Sequence, residues 1–252
     1  MAHSYNFFKK KVNTWQFPEK TSWLLPRKNK SSFIAGCKSG IYILDLFNST
    51  RKKILDIENT IPNNRFNDAK VDRSGRIWAG SMDDNEKLKT GWLYRIDSNL
   101  NFTKCDGPYV ITNGPAMNFE GNILYHVDTL GKCVYKFELK KDGKIENKNL
   151  LIKLEDNDGF PDGLTVDKEG YIWLAHWGGG KITRFKPSGN VDYILKLPVP
   201  QVTSCVFGGP DMNILFITTA SRGLDTKKYA LAGNLFFSET NVKGFSSPLF
   251  NG

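Results

Sequence analysis

Short apolar runs broken by Gly, Asn, Asp and Ser recur along the whole chain, and helical periodicity is nearly absent. Several of these runs superimpose. NDAKVDRSGRIWAG begins at Asn67, DGLTVDKEGYIWLA at Asp162, and NGPAMNFEGNILYHVD, from Asn113, keeps the same plan more loosely. TSCVFGGPDMNILFIT from Thr203 and SWLLPRKNKSSFIAG from Ser22 are weaker copies. The starts lie 41–49 residues apart. Each copy predicts a strand, a polar turn, a second strand with an aromatic, a Gly-bearing loop and a third strand. The third strands are GIYILDL, GWLYRID, KCVYKFEL, KITRFKP and GNLFFSE. A period of ~40–50 residues with about four strands per unit predicts a β-propeller, one blade per unit. A β-sandwich would not repeat this phrase in register five times, and the G-H…W-D signature of WD repeats is missing. Blades are expected to begin near residues 22, 67, 113, 162 and 203. Residues 1–21 read as the remnant of a first blade, with HSYNFF and VNTWQF as its third and fourth strands. Residues 240–252 read as a tail whose SPLFNG segment closes the ring. The expected fold class is therefore all-β, a six-bladed β-propeller with an incomplete first blade, in a single domain over 1–252.

Composition narrows the function classes. No apolar run approaches the ~18 residues that cross a bilayer, so no membrane partner is expected. Met1 to Lys11 is polar and basic, without a signal peptide's apolar stretch. Four cysteines (Cys37, Cys105, Cys133, Cys205) are scattered without a C-x-x-C pair. That excludes a zinc ribbon or disulfide-stapled scaffold and points to a cytoplasmic location. The 35 Lys and Arg against 26 Asp and Glu give a net charge of +9. The basic runs are short, dispersed and placed between apolar segments, so they read as a solvated rim; no nucleic-acid partner is expected.

In a propeller the first strand of each blade lines the central channel, and equivalent positions form a ring. Here that position holds Ser22, Asn67, Asn113, Asp162 and Thr203, all polar. The hairpin turns fall elsewhere in each unit, so these polar starts need another explanation. Two amides and a carboxylate offer oxygen ligands of low charge, which suits a hard divalent cation such as Ca²⁺, Mg²⁺ or Mn²⁺. A further acidic ligand is expected, and none of the five blades supplies one at the ring position. Arg65 lies on the connection entering the same mouth, where a fixed guanidinium can bind a carbonyl or anionic oxygen. Loops following the second strands would add Asp128, His176, Trp177, Arg222 and Asp225. Asp128 serves equally well as a loop cap, and His176 reads better as packed than as a ligand. Trp177 opens the tract Gly178–Gly180 and stays open between packing and a mouth position. Trp78 and Trp173 occupy matching places in second strands and read as blade packing.

The phrases RFNDAKVDRSGRIWAGSM, ITNGPAMNF, GFPDGLTVDKEGYIWLAHWGGG and VTSCVFGG, with the ending LAGNLFFSETNVKGFSSPLFNG, resemble the regucalcin/gluconolactonase (senescence marker protein type) family. The resemblance runs from about Ser22 to the end. It implies a propeller that hydrolyses a small-molecule sugar lactone with one divalent cation (Ca²⁺, Zn²⁺, Mg²⁺ or Mn²⁺). It further implies that Asn113 and Asp162 ligate the metal, that Asp162 is also the general base, and that Arg65 and Asn67 contact substrate. The family's remaining ligand, a Glu in a Gly-Glu-(small)-Pro-x-(aromatic) motif of the first strand, has no counterpart here. Two function classes follow: a metal-dependent lactonase, or a non-catalytic metal- or sugar-binding propeller. Unpaired strands at the incomplete blade would also offer an edge for oligomer formation.

Overall fold

The computed structural model describes residues 1–252, and their Cα framework divides into two compact units: Met1–Thr112 with Ser247–Gly252, and Asn113–Ser246. In the first unit, β1 (Ala2–Asn6) and β2 (Lys11–Trp15) form a two-stranded antiparallel sheet. A four-stranded sheet follows from β3 (Thr21–Pro26), β4 (Phe33–Cys37), β5 (Gly40–Asp45) and β6 (Thr50–Leu55). A second comprises β7 (Asn64–Val71), β8 (Ile77–Asp83), β9 (Gly91–Ile96) and β10 (Phe102–Tyr109).

The second unit repeats the plan. Its sheets are β11 (Thr112–Met117), β12 (Ile123–Asp128), β13 (Cys133–Leu139) and β14 (Ile145–Lys153), then β15 (Phe160–Val166), β16 (Ile172–Trp177), β17 (Lys181–Phe185) and β18 (Val191–Lys196). The last has three strands, β19 (Val202–Gly208), β20 (Ile214–Thr219) and β21 (Leu235–Glu239). Five blade sheets are thus present rather than six. The expected partial first blade reduces to the β1–β2 sheet, because neither strand finds a partner outside the pair. Trp15 Nε1 donates to the Leu46 carbonyl at 3.2 Å, and Phe17 packs on Ala35 and Leu44, which tether this sheet. No helix is long and apolar enough to cross a membrane.

Burial explains the strand order. The second strands are largely buried in four of the five blades, most fully in β8, where all seven residues are buried. The fourth strands β6 and β18 are mostly exposed, and β6 is mostly polar. The recurrent V-D-x-x-G-x-x-W phrase is a folding device. At the end of β7, Asp72 Oδ1 accepts the turn amides of Ser74 and Arg76, while Oδ2 accepts Trp78 Nε1 at 2.9 Å. At the end of β15, Asp167 does the same for Glu169, Tyr171 and Trp173, again at 2.9 Å from the indole. One carboxylate therefore satisfies the hairpin amides and the only polar atom of a buried ring, whose N–H would otherwise cost free energy. Trp78 and Trp173 pack inside their blades, at 0% and 3% exposure.

The tail does not pair with the β1–β2 sheet; it makes one parallel bridge, Arg27 with Phe250, below β3. Phe250 is buried in the first unit's core with Trp23, Ile34, Phe66 and Ile77, and Arg27 Nε donates to the Gly252 carbonyl at 2.8 Å. Burying one large ring competes better for the segment than two backbone bonds to an exposed edge would.

Close packing also fixes a glycine. A Cβ on Gly36 of β4 would overlap the Trp23 indole, which packs edge-on against Phe66 with ring centroids 5.8 Å apart. Gly36→Ala is expected to cost about 1–3 kcal/mol through overpacking. Thermal unfolding checks this: an unchanged midpoint would mean that the indole does not fill that space.

Candidate active site

The five polar residues singled out by the repeat all lie in first strands, and four sit where the strand slips register against its neighbour. The breaks fall between Thr21 and Trp23, Phe66 and Ala69, Pro161 and Leu164, and Val202 and Ser204. They enclose Ser22, Asn67 with Asp68, Asp162 with Gly163, and Thr203. A β-bulge leaves extra residues outside the ladder and re-aims their side chains, so each of these four blades displaces a polar group from its first strand. The signal was present in the sequence as a polar residue breaking the alternation at each blade start.

In the first unit the bulge of β7 builds a network. Arg65 Nε donates to Asp84 at 2.9 Å, and its Nη1 donates to the Phe66 carbonyl at 2.9 Å and to Asn67 Oδ1 at 2.8 Å. Asn67 Nδ2 donates to the Thr112 carbonyl at 2.7 Å, and Thr112 Oγ1 to the Ser81 carbonyl at 2.8 Å. Ser22 Oγ donates to the Phe66 carbonyl at 2.5 Å, tying β3 to β7. The structure thus brings Arg65 and Asn67 together and fixes the plane of the guanidinium. Against the desolvation that would raise it, hydrogen bonds from Lys20, Lys38 and Arg65 hold the Asp84 carboxyl well below the usual carboxylate range. Asp68, beside Asn67, is different: burial pushes its carboxyl up to about 6, and its side chain accepts the Ala69 amide at 2.8 Å.

In the second unit Asn113 is 7% exposed, and its Nδ2 donates to Thr129 Oγ1 at 2.8 Å, which orients the amide. Asp162 lies half-buried in the β15 bulge. The glycine after it is required: a Cβ on Gly163 would overlap Ser204 Oγ, so β19 can approach β15 only there. Asp128 Oδ1 accepts the Gly131 amide at 3.0 Å and caps its loop. His176 is 1% exposed, its Nδ1 pairs with the Asp158 carbonyl at 3.0 Å, and burial pushes its pKa down to about 4, so the ring is neutral. Trp177, half-buried, ends β16 opposite Phe160 and bridges Gln201. Arg222 and Asp225 ride on the exposed loop before β21. Asp84, Thr129 and Ser204 are the positioning residues that sequence reasoning missed; each lies outside the repeated phrase or faces a residue far away in the chain.

The donor set limits what a metal would find. Asn113 and Asp162 stand on first strands of one core cluster, shared through Ala116, Leu164 and Val166. They offer one amide and one carboxylate oxygen. No three His, Cys, Asp or Glu side chains converge as a metal-binding group anywhere in the chain. Such a set fits a hard cation held loosely, with water completing the shell, and not a soft metal or a high-affinity site.

Comparison with known proteins places this geometry. Residues 1–221 match the family model described as SMP-30/Gluconolactonase/LRE-like region. The 6-deoxy-6-sulfogluconolactonase of Pseudomonas putida is 32% identical over 245 residues, covering 96% of this chain and 84% of that protein. Regucalcin of Xenopus laevis is 32% identical over 235 residues, covering 85% and 79%. Among solved structures, the calcium-binding protein regucalcin of Agrobacterium tumefaciens superimposes with a TM-score of 0.94 at 26% identity, covering 99% of this chain and 85% of that one. A luciferin-regenerating enzyme gives 0.92 at 27% identity, covering 99% and 87%. With its repeated blades and bulged first strands, the chain is a β-propeller that belongs to the SMP-30/gluconolactonase family.

Proposed function

We propose that the protein hydrolyses sugar lactones, with Asp162 as general base and Arg65 and Asn67 as substrate-binding residues. Family membership supports the reaction class. The observation that carries the residue assignment is the bulge that frees Asp162 from the β15 ladder, next to a glycine that nothing larger can replace. In this reading the Asp162 carboxylate takes a proton from the attacking water as its oxygen adds to the lactone carbonyl. The acyl–oxygen bond of the ring then breaks, the leaving oxygen takes the proton back from Asp162, and the aldonic acid leaves with one titratable proton. Arg65, whose Nε and Nη1 are pinned, presents Nη2 as a fixed donor for an oxygen that gains negative charge. Asn67 holds that guanidinium in place and adds its amide to the substrate-facing surface. When bound at Asn113 and Asp162, a divalent cation (Ca²⁺, Zn²⁺, Mg²⁺ or Mn²⁺) would polarise the lactone carbonyl and acidify the water. All four cysteines are free thiols, in keeping with a reducing, cytoplasmic setting.

A proton-release assay on aldonolactones, with each of the four cations or with chelator, tests the proposal. The expected result is hydrolysis that falls at least about tenfold in chelator and returns with a cation in excess. Absence of hydrolysis on every aldonolactone and metal would overturn the catalytic reading. Retained lactone binding would then support the second one, a non-catalytic sugar- or metal-binding propeller, which the single carboxylate in the donor set favours.

A further inference from the structure

We propose that two copies of this chain pair through the outer edge of β21, joining the last blade sheet of one to that of the other. This pairing does not depend on the lactonase reading. β21 is built for the interior of a sheet yet stands at its edge. By its place in the repeat it matches β5, β9, β13 and β17, and each of those lies between two neighbours in a four-stranded blade. β21 pairs only with β20, in the three-stranded sheet β19–β20–β21.

Sequence sets it apart from the outer strands of the complete blades. β6 carries Arg51, Lys52 and Lys53, and β18 carries Asp192 and Lys196. Charge on an edge strand opposes pairing with another chain. β21 reads LFFSE, without lysine, arginine or proline, and its single charge, Glu239, is its last residue. The face beside that edge is apolar too. Val206 pairs with Phe216 and Phe216 with Phe237, so the three form one row across the sheet. Val206, Leu235 and Phe237 are 41%, 43% and 54% exposed. The opposite face is covered, where Cys205, Ile217 and Phe236 pack with Trp173 and Ala175.

Charge identifies the occupant as a second copy. The chain carries a net charge of +9, so two copies repel over most of their surface. Ser204, Val206, Phe216, Thr218, Leu235 and Phe237, which form the bare face, carry no charge. A two-fold axis beside β21 makes the new strand pair antiparallel. Leu235 and Phe237 of one copy then lie against those of the other, and the two Glu239 side chains stand at opposite ends. Each Glu239 approaches the segment that leads into the other copy's β21, where Arg222, Lys227 and Lys228 outnumber Asp225. Lys243, beyond Glu239, turns away towards Lys168, whose amide its carbonyl accepts at 2.8 Å. One strand with its flanks therefore supplies both sides of a complementary pair.

Sedimentation analysis from about 1 to about 200 µM tests the pairing. A monomer–dimer equilibrium is expected, tightening as added salt screens the net charge. Phe237→Lys places a charge on the edge and should weaken the dimer at least about 100-fold, because a two-fold interface loses the ring twice. Phe47→Lys, at a side chain 93% exposed between β5 and β6, should leave the equilibrium unchanged. Near-ultraviolet circular dichroism of Phe237→Lys should match the parent. Hydrogen exchange on the unaltered chain adds a readout that needs no variant. Amides of β21 should exchange more slowly as concentration rises, while those of β6 keep their rates. A chain that stays monomeric over this range, or a dimer that survives Phe237→Lys, would overturn the pairing. Protection of β21 that is independent of concentration would overturn it as well, because the edge would then be covered within one chain.

Discussion

Replacing Asp162 by Asn is expected to lower kcat for lactone hydrolysis by about 10²–10⁴-fold, the range that removal of a positioned general base produces. The substitution keeps the shape of the side chain and leaves the Gly163–Ser204 approach untouched, so the β15 bulge should persist. Two readouts separate chemistry from folding. Near-ultraviolet circular dichroism should match the parent, and KM should change far less than kcat if the carboxylate acts on water rather than on substrate binding. Asp162→Ala also removes one of only two assigned oxygen donors, so cation binding followed by calorimetry should weaken beyond detection. A variant that hydrolyses lactone within threefold of the parent rate would remove Asp162 from the mechanism and leave the family resemblance without its central residue.

The largest expected effect on stability comes from Asp167. Its side chain is fully buried, and it accepts the Trp173 indole N–H, two nitrogens of Arg184 and two turn amides. Arg184 stacks on Tyr171, 3.7 Å from the ring centroid, and is itself 8% exposed. Removing the carboxylate leaves a buried guanidinium short of its main counter-charge, together with an unpaired indole N–H. Asp167→Ala should therefore cost about 3–5 kcal/mol. In a unit of this size that is roughly a 10 °C fall in thermal midpoint. Glu169→Gln is the control. It touches the same guanidinium at 2.6 Å from a side chain that is 56% exposed, so solvent screens most of its contribution. A midpoint for Asp167→Ala close to that of Glu169→Gln would show that the buried network is not what holds the blade.

The repeat made most of this fold legible. GIYILDL, GWLYRID, KCVYKFEL, KITRFKP and GNLFFSE contain β5, β9, β13, β17 and β21, because each leaves a dense apolar run between turn residues. Asp72 and Asp167 were visible only as part of a phrase, yet they are the reason the phrase recurs. The blade number was less legible. HSYNFF and VNTWQF do form strands, but a strand becomes part of a blade only through a partner, and these two have only each other. The candidate site divides in the same way. Its blade-start residues could be read from spacing, since the bulge recurs with the repeat. Asp84, Thr129, Lys20 and Lys38 could not, because they stand in loops of unequal length. What those residues contact follows from tertiary packing, which a local pattern does not encode.

Phe250 sets an order of events. The first unit is assembled from two stretches, 1–112 and 247–252, that the whole second unit separates in sequence, and its core contains a ring, Phe250, from the later stretch. During translation, the apolar face of Trp23, Ile34 and Ile77 waits for that ring until the whole second unit has left the ribosome. The unit whose strands are made first is therefore completed only after the other has been made. A fusion joined directly after Gly252 would load the segment that closes it.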